Sequence, residues 1–149
     1  MRAVVQRAAK ARVTAEGTAV GAIGSGMVVL LGIHPDDGER EIRWMADKIV
    51  NLRIFADEKG KMNRSLKETG GEMLVVSQFT LYADCRKGRR PGYSAAAPPE
   101  IAEGLYHAFV TEIKRQGIRT ATGIFQASMQ VALVNDGPVT LLLDSAKHF

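Results

Sequence analysis

Residues 74–82 read Leu-Val-Val-Ser-Gln-Phe-Thr-Leu-Tyr, and this stretch carries the strongest structural signal of the chain. The first three form an apolar run that is typical of a buried β-strand. Two hydroxyls and an amide follow directly, on Ser77, Thr80 and Gln78. A basic segment, Arg-Lys-Gly-Arg-Arg, then occupies positions 86–90. A strand that ends in polar side chains beside cationic groups predicts a site for chemistry on an anionic substrate.

Length and composition narrow the class of protein. The 149 residues predict one domain, spanning residues 1–149, with enough chain to bury a hydrophobic core. No segment approaches the roughly twenty apolar residues of a membrane helix, so we expect no membrane partner. Cys85 is the only cysteine, which excludes an internal disulfide and predicts a cytoplasmic protein. The net charge of +4 mildly favours a polyanionic partner.

The N-terminal part of the chain predicts three strands joined by tight turns. Glu16-Gly17 is a hairpin signal between residues 1–15 and the returning strand 18–23. Residues 27–33 are apolar without alternation, which indicates a strand buried on both faces. Sequential strands of this kind predict a meander.

Two amphipathic helices are predicted, because apolar residues recur at spacings of three and four. These residues are Ile42, Met45, Ile49 and Leu52 in the first helix, and Ile101, Leu105, Ala108, Phe109 and Ile113 in the second. Pro99 suits the first turn of the second helix, and Gly117 ends it. Near the C-terminus, residues 135–138 indicate a turn between two further strands. The pattern predicts an α+β domain with a mostly antiparallel sheet and two helices packed on it.

Patterns for metal, phosphate-loop and serine-hydrolase chemistry do not occur. The three histidines, His34, His107 and His148, are scattered, so we expect neither a metal site nor a cofactor. No Gly-x-Ser-x-Gly elbow or Walker loop occurs either.

The hydroxyls of Ser77 and Thr80 are weak nucleophiles unless a base removes the proton. The neighbouring sequence offers no histidine or lysine, and Asp84 is the nearest carboxylate. Three interpretations stay open: a base comes from elsewhere in the fold, the residues only bind, or the substrate carries its own reactive group. On composition alone, ordinary strand-end capping is the favoured explanation of the two hydroxyls.

Together with residues 74–82, a second block at positions 134–140, Val-Asn-Asp-Gly-Pro-Val-Thr, makes the chain closely resemble the D-aminoacyl-tRNA deacylases, the D-tyrosyl-tRNA deacylase family. The resemblance covers essentially the whole chain in the family's order. Shorter blocks also match, at residues 1–7, 52–55, 60–63 and 89–91.

The resemblance implies a barrel-like, mostly antiparallel sheet with two helices, in a homodimer. It implies hydrolysis of the ester between a D-amino acid and the terminal adenosine of tRNA, with no DNA partner. Gly137-Pro138 is implied to form a cis peptide that enters the partner's pocket and sterically rejects L-aminoacyl-tRNA. A steric filter admits glycine, so glycyl-tRNA mischarged on tRNA(Ala) is implied as a further substrate.

The resemblance also assigns roles to residues. Gln78 and Thr80 position the ester or adenosine, with Ser77 beside them, and backbone N–H groups near Phe79 stabilise the oxyanion. The vicinal hydroxyl of the terminal ribose supplies much of the catalysis. Phe125 and Met129 line the pocket. Four cationic residues are expected to contact acceptor-end phosphates, namely Arg86, Lys87, Arg89 and Arg90.

Two departures and two alternatives remain. Gln126 stands where many members have Gly or Ala, and Ser128 stands where many have Asp, so the rim of the pocket is expected to differ from theirs.

One alternative function is a non-catalytic tRNA-binding module, although few exposed aromatic residues are expected near the basic segment. The other is a hydrolase in which Thr80, or Ser77, is the nucleophile.

Overall fold

A computed structural model describes residues 1–149. The strands are β1 Arg2–Ala15, β2 Thr18–Ile23, β3 Gly26–Gly32, β4 Phe55–Ala56, β5 Met62–Arg64, β6 Glu72–Ser77, β7 Thr120–Thr122 and β8 Met129–Asp144. The helices are α1 Glu39–Val50, α2 Leu66–Thr69 and α3 Pro99–Arg115. None of these helices has the length and apolar composition needed to cross a bilayer.

The long strand β1 organises the main sheet. Its residues 2–8 pair with β3 and its residues 11–15 pair with β2, both antiparallel, while β8 runs antiparallel along nearly its whole length. The predicted meander is therefore wrong, because β1 has 14 residues and accepts β2 and β3 end to end. The α+β class and the mostly antiparallel sheet are confirmed, with β3–β6 and β6–β7 as two parallel exceptions.

The sheet curls until its ends approach each other. The strand order is β2-β1-β3-β6-β7, and the terminal strands meet at Gly21 and Thr122. A Cβ at Gly21 would lie 2.4 Å from the Thr122 carbonyl oxygen, so only glycine allows this approach. The barrel-like sheet implied by the resemblance is thereby confirmed.

Two apolar clusters fill the fold. The larger lies between the sheet and the two long helices and includes Met27 and Met73 on strands and Met45, Ile49 and Phe109 on helices. All five are fully buried, and each such side chain contributes about 1.5–3 kcal/mol by leaving water. A smaller cluster, which includes Val13, Val28 and Leu74, lies on the other face of the sheet.

The helix predictions are partly confirmed. In α1 the predicted Ile42, Met45 and Ile49 are buried, and Pro99 lies in the first turn of α3 as expected. In α3, however, Ile101 is 44% exposed, and the buried stripe runs through Ala102, Tyr106, Phe109, Val110 and Ile113. Tyr106 can occupy the centre of that stripe because its hydroxyl donates a hydrogen bond to the Val75 carbonyl oxygen at 2.9 Å.

The predicted turn at residues 135–138 does not divide β8. Gln6 of β1 pairs with Thr140, and Ala8 pairs with Asn135, so Arg7 alone faces four residues of β8. Residues 136–139 therefore project from the sheet as a bulge, and the strand continues beyond them. The sequence correctly predicted a local distortion at these residues, but the structure has a bulge within one strand where a turn between two strands was expected.

Candidate active site

A pocket of about 670 Å³ lies at the C-terminal end of β6. Most of the side chains on its walls are apolar, and they come from β6, from the segment before α3 and from the segment before β8. Five of the predicted site residues line it together, namely Ser77, Gln78, Phe79, Phe125 and Met129. The motif at 74–82 and the segment near residue 125, distant in sequence, therefore form one site.

A single turn of 3-10 helix, residues 79–82, leaves the sheet where β6 ends. The pairing of β6 with β3 extends one step further, because the Gln78 N–H donates to the Leu31 carbonyl oxygen at 2.8 Å. The chain then tightens, and the Ala83 N–H bonds to the Thr80 carbonyl oxygen at 3.0 Å. This geometry leaves Phe79 54% exposed at the pocket.

Thr80 lies beside the pocket and is not part of its walls. Its hydroxyl oxygen accepts a hydrogen bond from Gln78 Nε2 at 2.5 Å. An amide N–H is a donor only, so this contact orients the hydroxyl and cannot remove its proton. The geometry is that of a positioning pair.

No carboxylate, histidine, lysine or arginine lines the pocket. Asp84, the nearest acid in sequence, is engaged elsewhere: Arg86 donates to both of its oxygens, at 2.9 and 2.7 Å. The hydrogen bonds from Arg86 hold the pKa of Asp84 well below its usual range, so this carboxylate is a poor base. The interpretation that a carboxylate, histidine or lysine from elsewhere in the fold serves as the base therefore finds no support in this pocket.

The basic loop, residues 85–91, is a protruding hairpin-like segment. Asp84 and Gly92 close its base with two backbone hydrogen bonds of 2.7 and 2.9 Å. Because Arg86 is paired with Asp84, it shapes the loop and its charge is largely compensated. Lys87, Arg89 and Arg90 are exposed and form no ion pair.

The bulge carries Gly137 and Pro138 on the surface of β8, away from the pocket of their own chain. The peptide bond between them is cis, and Gly137 has a φ of +137°. Asn135 supports the bulge internally, since its Oδ1 accepts from the Val139 N–H at 2.7 Å. Arg7 supports it from β1, since its Nε donates to the Asp136 carbonyl oxygen at 2.8 Å. Hydrogen bonds with Asn135 and Arg7 therefore hold the bulge in place as it projects from the sheet.

Two residues of the site, Tyr93 and Tyr106, were not predicted from the sequence, whereas Gln126 was predicted at the rim. Tyr93 lines the pocket, and its ring packs edge-to-face on Phe79 at 5.1 Å. These two exposed aromatic residues lie near the basic loop. Gln126 lines the rim with a φ of +62°, a region that favours glycine. Tyr106 packs behind Phe125 at 5.9 Å. The aromatic residue that follows Pro91-Gly92 was the only signal available for Tyr93.

Comparisons with known proteins agree with one another. A family model described as D-Tyr-tRNA(Tyr) deacylase matches residues 4–144. Proteins named D-aminoacyl-tRNA deacylase are 60% identical in Desulfotalea psychrophila and 62% identical in Syntrophobacter fumaroxidans, over 149 residues and the full length of each chain.

Two solved structures share the fold of this chain. One described as c-Myc DNA Unwinding Element Binding Protein superposes with a TM-score of 0.91 at 45% identity, covering 97% of this chain and 98% of the other. A second, described as a probable eukaryotic D-amino acid tRNA deacylase, has a TM-score of 0.83 over 95% of this chain and 97% of the other. At 17% identity, the second likeness shows the shared fold alone.

Proposed function

The chain belongs to the D-aminoacyl-tRNA deacylases, hydrolases that act on the ester of aminoacyl-tRNA, and we propose how its pocket does this. The D-amino acid occupies the apolar pocket between Phe79, Phe125 and Met129, with its ester at the Gln78–Thr80 pair. Aminoacyl-tRNA is a cytoplasmic substrate, so we place the protein in the cytoplasm, working as one domain. The single observation that carries the mechanism is a pocket that no carboxylate, histidine, lysine or arginine lines.

Catalysis then depends on the substrate RNA. The ester lies next to a vicinal hydroxyl of the terminal ribose, which can pass a proton during attack by water. Gln78 and Thr80 orient the adenosine or ester, and backbone N–H groups near Phe79 stabilise the developing oxyanion. Ser77 is the last residue of β6 and adds a hydroxyl to the same wall.

Selection against L-amino acids requires a second subunit. We propose a homodimer in which Gly137 and Pro138 of one protomer enter the pocket of the other and fill the space that an L side chain needs. The outer edge of β8 has no partner strand within the protomer, and its Val134 and Leu142 are 49% and 62% exposed. An open edge with exposed apolar residues favours association.

The acceptor end of the tRNA is held by charge. Lys87, Arg89 and Arg90 are free to neutralise phosphates, which positions the RNA without reading its sequence. Phe79 and Tyr93, between this loop and the pocket, add apolar contact area. Glycyl-tRNA mischarged on tRNA(Ala) is a further substrate, because glycine has no side chain for a steric filter to reject.

Paired substrates test the proposal. We expect rapid hydrolysis of D-Tyr-tRNA and none above background for L-Tyr-tRNA. A D-Tyr-tRNA that ends in 2′-deoxyadenosine should react about a hundredfold more slowly or worse, as expected on losing a general acid–base group. Unchanged hydrolysis of the deoxy substrate would mean that the protein, and not the ribose hydroxyl, transfers the proton.

The same assay separates the alternatives. Salt-sensitive tRNA binding without hydrolysis would indicate a non-catalytic tRNA-binding module. An acyl-enzyme trapped during turnover would indicate that Thr80 is a nucleophile. Resistance of glycyl-tRNA(Ala) at high enzyme concentration would mean that the filter requires a D side chain, and steric exclusion alone would then be insufficient.

A further inference from the structure

The side chain of Arg2 reaches from the first residue of β1 to the back of the 3-10 turn at residues 79–82. Its Nη1 donates a hydrogen bond to the Leu81 carbonyl oxygen at 3.1 Å. Carbonyl groups in the last turn of a helix have no partner within it, and a cation is favourable there. Leu81 follows Thr80 directly, so this contact is one residue from the proposed positioning pair.

The same guanidinium covers the end of the turn. It lies 4.6 Å from the centroid of the Tyr82 ring and 5.5 Å from that of Phe149. Tyr82 is only 7% exposed, whereas the Arg2 side chain is 27% exposed, so the contact is partly shielded from water. Cation–π contacts strengthen as they lose water, which favours one fixed orientation of Arg2.

A buried carboxylate anchors Arg2 from the other side. Arg2 Nε lies 3.4 Å from Asp144 Oδ2, and the Asp144 side chain is 2% exposed. Asp144 is fixed in turn, because its Oδ1 accepts the Ala146 N–H at 2.9 Å. The turn is therefore held against the end of β8 through one side chain that contacts neither the pocket nor its walls.

We propose that Arg2 is a positioning residue for deacylation, which fixes the turn so that Thr80 and the backbone near Phe79 meet the ester. This inference rests on the function proposed above. The guanidinium is matched to the task, because it can donate to a carbonyl, pair with a carboxylate and stack on a ring at once. Lysine can satisfy only part of that set.

Kinetics of Arg2 variants test the proposal. We expect Arg2→Met to lower kcat on D-Tyr-tRNA by about tenfold to a hundredfold, as misplaced catalytic geometry does. KM and the ratio of D to L rates should change little, because the tRNA contacts and the chiral filter lie elsewhere. Arg2→Lys should fall between wild type and Arg2→Met, and Tyr82→Leu should lower kcat in the same way.

Arg115→Met is the matched control, because Arg115 is 71% exposed and pairs only with Glu112 on the surface of α3. It should leave kcat unchanged. If Arg2→Met lowers the melting temperature but the folded variant keeps the wild-type kcat, Arg2 is merely structural and the proposal is overturned.

Amide hydrogen exchange separates this inference from the proposed function. In free Arg2→Met protein, residues 79–83 should exchange faster than in wild type, while the core strands β3 and β6 stay protected. This measurement needs no activity. If the wild type does not hydrolyse D-Tyr-tRNA, the proposed function is wrong, and hydrogen exchange alone decides whether Arg2 fixes the turn. If exchange in the turn is unchanged by Arg2→Met, the inference about Arg2 is wrong.

Discussion

Thr80 illustrates how one contact decides between two roles for a hydroxyl. Its oxygen accepts the Gln78 amide at 2.5 Å, so the residue is oriented by a group that cannot act as a base. A nucleophilic threonine needs a base within reach, and the pocket walls carry no carboxylate, histidine or lysine. The geometry favours a residue that places the substrate.

We predict that Thr80→Val and Thr80→Ala lower kcat by about tenfold, which corresponds to the loss of one hydrogen bond of roughly 1.4 kcal/mol. Valine keeps the branched shape, so the two variants together separate shape from hydrogen bonding. Single-turnover kinetics on D-Tyr-tRNA measure the effect. Turnover reduced to background, together with an acyl-enzyme in wild type, would establish the nucleophile.

Gly137 is the second residue whose environment restricts it. Its φ of +137° is one that side chains with a Cβ rarely adopt, and an added Cβ would lie 2.8 Å from Val139 Cγ2 and 3.0 Å from Arg7 Nη2. An alanine at this position must move the bulge or one of its supports.

We predict that Gly137→Ala lowers the ratio of D-Tyr to L-Tyr release by about tenfold or more, since displaced filter atoms no longer discriminate. Gly104→Ala is the control: Gly104 lies within α3, with no atom within 4 Å of an added Cβ. That change should stabilise the protein by about 0.5–1 kcal/mol and leave the ratio unaltered. A Gly137→Ala protein with the wild-type ratio would contradict the proposed filter.

At the scale of elements, α3 and β6 are joined through Tyr106. Its hydroxyl donates to the Val75 carbonyl oxygen at 2.9 Å, two residues before Ser77, and its ring packs on Phe125. Burial raises the pKa of Tyr106 to about 12. A helix residue outside the pocket thus stabilises both the strand and the aromatic wall that form it.

We predict that Tyr106→Phe destabilises the fold by about 1–3 kcal/mol near pH 7, because the buried carbonyl loses its donor. In the unfolded chain the phenol ionises near 10, while in the folded chain its pKa is about 12. The folded state therefore holds more protons in that window, and the contribution of Tyr106, complete below pH 10, is lost as the pH rises towards 12.

Urea unfolding of both proteins at about pH 7, 10 and 11.5 measures this difference. The advantage of wild type over Tyr106→Phe should shrink across the window. Tyr93→Phe is the control, because it makes the same chemical change at a side chain that is 40% exposed. A constant difference at all three pH values would contradict the assignment.

Elements with a local signal were predictable from the sequence. The 3.6-residue period identified α1, and the two motif blocks identified the pocket end of β6 and the bulge. Pairing was not predictable, because nothing local tells β1 to accept β2 and β3 on the same edge. The inward position of Tyr106 depends on a carbonyl 31 residues away, which no helical pattern contains.

At the scale of the whole molecule, the chain divides its proposed functions between two surfaces. The pocket lies at the end of β6, whereas Gly137 and Pro138 lie exposed on β8 and do not line it. On the proposed mechanism the protein needs a second copy of itself, because each protomer would offer a filter that it cannot use and a pocket that lacks one. The dimer is therefore part of the proposed active site.

Complementation between two variants tests this arrangement. Gln78→Ala impairs the pocket but keeps the bulge, and Gly137→Ala impairs the bulge but keeps the pocket. In a heterodimer, the intact bulge of the first faces the intact pocket of the second. Random mixing makes half of the dimers mixed, each with one complete site, so we predict D-selective activity at about a quarter of wild type.

The measurement is release of D-Tyr and L-Tyr by the two variants refolded together, compared with each variant refolded alone. Refolding together is needed because separately formed homodimers do not exchange subunits at once. Mixing Gln78→Ala with Thr80→Ala is the control, since both variants impair the same surface and cannot complement each other. A ratio of D to L rates that stays at the Gly137→Ala value after joint refolding would mean that filter and pocket act within one chain, and the proposed exchange across subunits would be wrong.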